Sequence, residues 1–126
     1  MKRQNGVVLS GKLRELRAEQ IQVGDLASSA VVATLVTDHP AYGGYHQVIF
    51  PEEHALEVQA FAALTGGELE VTIEGWLRSV PGNSVVIVDR AIYLNVAQTQ
   101  RDQVARLKAA SRRRAEAGRP GRAGPT

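Results

Sequence analysis

The stretch from Glu68 to Val96, ELEVTIEGWLRSVPGNSVVIVDRAIYLNV, constrains the fold more than any other part of the chain. In its first arm Leu69, Val71, Ile73, Gly75 and Leu77 alternate with Glu70, Thr72, Glu74, Trp76 and Arg78, the period of a strand with one buried face. Pro81-Gly82-Asn83-Ser84 carries turn chemistry, with φ fixed at the proline and a positive φ accessible at Gly82 or Asn83. The return arm, Val85 to Val96, is rich in the β-branched and aromatic residues that suit a pleated surface. Both arms exceed the usual strand length of about five or six residues. Long, bent strands in a small chain point to a closed or nearly closed barrel, and Gly75 is placed where one could bend.

Upstream, Asn5 to Arg17 reads as a first strand, with Val7, Leu9, Gly11 and Leu13 on one face. Ala18 to Gly24 reads as a connection, Leu26 to Thr37 as a second strand, Asp38 to Gly44 as a loop, and Tyr45 to Phe50 as a third strand. Pro51-Glu52-Glu53 opens a helix, since proline suits the first turn and acids suit its positive end. Leu56, Ala60, Phe61 and Leu64 form its expected core stripe, and Thr65-Gly66-Gly67 stops it. Three strands, a helix and two strands is the order of the OB-fold, an all-β, five-stranded Greek-key barrel with its helix between strands three and four. Residues 1–96 are expected to form this domain, and residues 97–126 a basic tail. In the tail, Gln98 to Glu116 has only a thin apolar side and reads as a frayed helix, followed by a disordered end from Gly118.

A net charge of +2 conceals a division along the 126 residues. Residues 1–96 hold seven Lys/Arg against eleven Asp/Glu, a sum of −4, whereas residues 97–126 hold eight against two, a sum of +6. A polyanion would meet the tail more readily than the body. There is no cysteine, hence no disulfide, thiol nucleophile or cysteine zinc site. The N-terminus does not read as a signal peptide, and no apolar run approaches the roughly 18 residues of a membrane span.

Strand by strand, residues 5–96 resemble the bacterial single-stranded-DNA-binding protein family. Asn5 to Leu13 is similar to its N-x-V-x-L-x-G-x-L first strand, and Leu35-Val36-Thr37 to its L-A-T. Tyr45-His46-Gln47-Val48-Ile49-Phe50 resembles its W-H-x-V-V-x-F, and Glu70 to Leu77 its V-x-V-E-G-x-L. The third strand is one residue shorter than the family's, the Pro81–Ser84 turn replaces a long arm, and Arg112-Arg113-Arg114 stand where an acidic, hydrophobic tip is usual. The resemblance implies a specialised member that binds single-stranded DNA without reading sequence, in replication, recombination or repair. It also implies a cytoplasmic, nucleoid-associated dimer or tetramer with no cofactor, and places His46 at a subunit interface.

Such binding needs ring faces for bases and cations for phosphates, since any base can stack. Trp76, out of phase with the inward residues and beside Arg78, is a candidate for stacking or for an interface. Tyr42 and Tyr45 flank Gly43-Gly44 and are candidates to stack, with Lys12, Arg14 and Arg78 as phosphate contacts. Val86 and Val88 are expected on an outer strand surface that meets a second subunit. Phe50 and Phe61 read as core, and Tyr93 reads either way. The three histidines lack metal-ligand spacing, Ser28-Ser29 is no nucleophile elbow, and Gly66-Gly67 lacks the Lys-Ser/Thr of a phosphate loop, so no enzyme is expected. Two alternatives stand beside this reading: an OB-fold adaptor docking replication or primosome proteins, and single-stranded RNA binding on the same platform.

Overall fold

A computed structural model describes residues 6–23, 25–37 and 44–117. It contains β1 (Gly6–Val23), β2 (Leu26–Thr37), β3 (Gly44–Phe50), α1 (Glu52–Leu64), β4 (Leu69–Val80), β5 (Asn83–Tyr93) and α2 (Gln98–Ala117). The strands close into a barrel in the order β1-β2-β3-β5-β4, antiparallel throughout except where β3 runs parallel to β5 at Val48–Val86 and Ile49–Ile87. Three strands, a helix and two strands is the expected order, and the tight turn at Pro81-Gly82 is where the sequence places it, Gly82 taking φ 76°.

Alternation selects the core. Leu13, Val31, Ala33, Leu35, Val48, Phe50, Leu69, Val71, Ile73, Val86 and Val88 point inward and are buried together, each large aliphatic contributing roughly 1.5–3 kcal/mol. Phe61 of α1 and Tyr93 of β5 close the barrel beneath them, ring centroids 4.6 Å apart. Two glycines permit the curvature. A Cβ on Gly11 would strike the Val36 carbonyl, and one on Gly75 the Ile87 carbonyl.

Four local expectations are corrected. Ala18 to Val23 is strand rather than connection, pairing from Ala18–Val31 to Val23–Leu26. The register shifts between Arg14 and Arg17, and Glu15 takes φ 58°, so β1 changes phase without ending. On α1 Phe61 is buried and Ala60 and Leu64 pack against the core as expected, but the second fully buried residue is Val58 and Leu56 is 39% exposed, because the face on the barrel is rotated toward Val58. Leu77, expected inside, is 41% exposed, for here β4 passes the barrel's mouth.

The fourth correction concerns α2. It is docked, not frayed: Val104 is 1% exposed and belongs to the core cluster. Arg101 donates through Nη2 to the Tyr93 carbonyl at 2.6 Å, Gln100 through Nε2 to the Leu64 carbonyl at 3.2 Å, and Lys108 lies 3.5 Å from Glu57. The lead-in is fixed by Asn95, whose Oδ1 accepts from the Glu70 amide at 2.9 Å and whose Nδ2 donates to the Glu68 carbonyl at 2.6 Å. The expected disorder from Gly118 onward lies outside the described residues.

Gly75→Ala should lower stability by about 2 kcal/mol or more in urea melts, because a backbone carbonyl cannot step aside as a side chain can. Tyr93→Phe should change neutral-pH stability by no more than about 1 kcal/mol, since the buried hydroxyl has no hydrogen-bond partner among the described residues. Burial first, and the Glu57 carboxylate second, push the Tyr93 phenol upward. The folded state therefore keeps a proton that the unfolded chain releases near pH 10. Wild-type stability should fall as pH climbs past about 10, by more than that of Tyr93→Phe.

Candidate nucleic-acid interface

Residues directly opposite each other on neighbouring strands share a face, so the register assembles the site. Lys12 pairs with Val36, and Val36 with Tyr45, giving one outward row across β1, β2 and β3. Arg14 pairs with Thr34, and Thr34 with Gln47, giving the next. The two rows form a shallow cleft lined by Lys12, Arg14, Thr34, Val36 and Tyr45, and two carboxylates, Glu15 and Glu68, line it as well. Tyr45 is 78% exposed at one end of it. Glu15 accepts a hydrogen bond from Thr34 Oγ1 at 3.0 Å, which fixes its carboxylate beside Arg14's row.

This cleft gathers three of the six residues that sequence reasoning assigned to nucleic acid: Lys12, Arg14 and Tyr45. A flat ring beside two cations, on an outer strand surface, can take a base on its face and phosphates at its flanks. Tyr42 lies outside the described residues. Trp76 and Arg78 sit on the far arm of β4, where Trp76 pairs with Gly6 on one side and Ile87 on the other, and Arg78 with Val85. Trp76 is half-buried, Arg78 exposed. Ile87 in turn pairs with Ile49, so Trp76 ends an outward row of half-buried apolar side chains instead of standing alone.

The three interface candidates face the other way. Val86 and Val88 are 2% and 1% exposed inside their own barrel. His46 lies opposite Leu35 on the inward side of β3, half-buried. A run of four β residues, Val85 to Val88, gives no parity signal of its own, and the parity is set by pairing with β4 across the bulge at Glu74–Gly75. Outward and exposed on the β1, β4 and β5 side are Val8 and Ile92; Ser10 and Thr72, in Ile92's row, join hydroxyls at 2.7 Å.

Sequence reasoning passed over Val36, Thr34 and Gln47, the floor between the cations and the ring. Their signal was the cross-strand register, which needs the pairing and not the sequence. Among the described residues no group of three or more His, Asp or Glu is arranged to hold a metal ion. His54 is committed to the fold, its Nε2 3.0 Å from the Asp89 carbonyl.

No family model matches the chain, and no curated protein matches it. Solved structures do. The N-terminal domain of the PriB protein from Thermoanaerobacter tencongensis, described as dimeric, superposes with a TM-score of 0.55 at 19% identity, covering 75% of this chain and 100% of that one. The fold is an OB-fold. A mitochondrial single-stranded DNA binding protein from S. cerevisiae superposes with a TM-score of 0.53 at 5% identity, covering 73% of this chain and 96% of that one. The single-stranded DNA binding protein from Thermus aquaticus, as a deletion mutant, gives 0.52 at 15% identity, with 74% of this chain and 42% of that one covered.

Because the Tyr45 ring is solvent-facing, Tyr45→Ala should leave stability within about 0.5 kcal/mol of wild type in urea melts. Val36→Asp, in the floor of the same cleft, should cost more, since Val36 is half-buried between its neighbours.

Proposed function

We propose that this protein binds single-stranded DNA without sequence preference, through the outer face of β1, β2 and β3. The observation that carries the reading is the row of Lys12, Val36 and Tyr45, followed by that of Arg14, Thr34 and Gln47. It places an exposed ring and two cations on the strand face by which OB-folds take oligonucleotides. The single-stranded DNA binding proteins among the structural neighbours support it. Bases would stack on Tyr45, phosphates would lie against Lys12 and Arg14, and Arg78 on the β4–β5 arm would serve a strand passing that way. Trp76, half-buried against Ile87, is a weaker stacking surface than its sequence position implied. With Glu15 and Glu68 lining the same cleft, affinity rests on few phosphate contacts.

The reading is of a non-enzymatic, cytoplasmic, nucleoid-associated protein working in replication, recombination or repair, its domain running from residue 1 to 96. Among the described residues no helix is long and apolar enough to cross a membrane. Self-association would use the outer face of β1, β4 and β5, where Val8 and Ile92 are exposed, and a Val8→Asp change should reduce the mass seen by light scattering if it does.

Titration of the protein with oligo(dT) at low salt should give a mobility shift and a change in Trp76 fluorescence. Tyr45→Ala should weaken binding by about 1–3 kcal/mol, roughly 5- to 150-fold. Replacing Lys12 and Arg14 by Ala should flatten the dependence of log affinity on log salt by about 0.7 for each phosphate that is no longer neutralised. No shift at low salt, or full affinity in Tyr45→Ala, would remove the reading. Stronger binding to a matched RNA oligomer would replace it with the RNA alternative.

A further inference from the structure

We infer that α2 is a second, rigidly mounted phosphate-binding surface, which takes the sugar–phosphate backbone of the same strand after it leaves the barrel; this rests on the function proposed above. The helix has two unlike sides. Its inner side is spent on docking: Val104 is buried, Arg101 donates to the Tyr93 carbonyl, and Lys108 pairs with Glu57 of an α1 whose exposed first turn carries Glu52 and Glu53. Its outer side carries Arg106, Arg113 and Arg114, all exposed and none in an ion pair among the described residues.

Spacing makes these a surface and not a scatter. Arg106 and Arg113 are seven residues apart, so they share one face, about 10 Å from each other along the axis, and Arg114 widens the far end. A cation in the last turn of a helix is accounted for by the negative end of its dipole, and Arg114 is in that turn. Arg106 lies well short of it. On the outer side Asp102, one turn before Arg106, stands against the three arginines, which leaves that side positive toward solvent.

Docking is what turns charge into a site. Were the helix frayed, its arginines would attract a polyanion diffusely and lose side-chain and backbone entropy on binding. Anchored at Val104, Gln100 and Arg101, the helix holds them at a fixed place on the barrel. Arg90 of β5 lines the cleft beside the helix with Arg101 and Lys108, but Glu57 lines it too and Glu74 lies 3.9 Å from Arg90, so the unpaired charge is concentrated on the helix's outer side. A phosphodiester chain fits this better than an acidic protein surface does. It offers one charge at every repeat, so arginines spaced along the helix can each meet a phosphate of the same chain.

The test compares fluorescein-labelled dT10, short enough for one barrel, with dT40, on the full chain. The variant is Arg106→Gln/Arg113→Gln/Arg114→Gln, with circular dichroism and a urea melt confirming its fold. Affinity for dT40 should fall by about tenfold or more and its salt slope by about 2, near 0.7 for each phosphate that the three arginines held, while dT10 binding stays within twofold. The Arg→Lys triple variant should recover most of the dT40 affinity. An unchanged dT40 slope overturns the inference while leaving the barrel site standing. Equal weakening on both lengths overturns it in favour of general electrostatic attraction. Poly-glutamate bound by wild type but not by the triple variant, with dT40 unaffected, overturns it in favour of an acidic protein partner. If dT10 fails to bind the wild type, the barrel reading falls and this inference with it.

Discussion

Closure of the barrel depends on two places where backbone meets backbone with no room for a side chain. At Gly11 the β1 chain lies against the Val36 carbonyl, and at Gly75 the β4 chain lies against that of Ile87. Between them these contacts bend β1 and β4, the strands that join the sheet's ends. The bend brings Gly6–Leu13 alongside Leu69–Trp76, eliminating a free edge over that length. Inside, the Tyr93 hydroxyl is the one buried side-chain polar atom left without a partner among the described residues, and the core is held by shape and apolar area. The outward rows inherit their alignment from that closure: Lys12 stands in line with Tyr45 because β1 and β2 are fixed in register one residue beyond Gly11.

Much of this was legible in the residues. Alternation in β4 gave Leu69, Val71 and Ile73 as core, and breaker chemistry gave the Pro81-Gly82 turn and both ends of α1. Phe50 and Phe61 were assigned inward and are. Failures came where local pattern carries no information about parity or partner. Val85 to Val88 is apolar at every position, so only pairing decides which side chains turn inward. Ala18 to Val23 lost its alternation because that half of β1 pairs with β2 alone, and Ala18, Glu19 and Gln20 on successive positions, with Gln22 beyond them, are all exposed. The same reasoning found Lys12, Arg14 and Tyr45, which are chemically conspicuous, and missed the neutral floor between them, which is defined by geometry.

The tail shows the converse error. Its apolar side is too thin to stabilise a helix by itself, and read alone it is a marginal one. On the barrel a single buried valine and three polar anchors suffice, because α1 and the end of β5 have already built the seat. Helix α2 thus contributes no fold of its own, but it converts a local excess of arginine into a shape.

Glu15 is the one described non-glycine residue with positive φ, and its carboxylate is bonded to the Thr34 hydroxyl on the neighbouring strand. On one side of it β1 belongs to the barrel wall; on the other it is half of a two-stranded arm running to Val23 and back from Leu26. A single left-handed residue, clamped by its own side chain, thereby sets the angle at which that arm departs from the body. The arm can change in length or composition during evolution while its direction, and everything behind it, stays as it was.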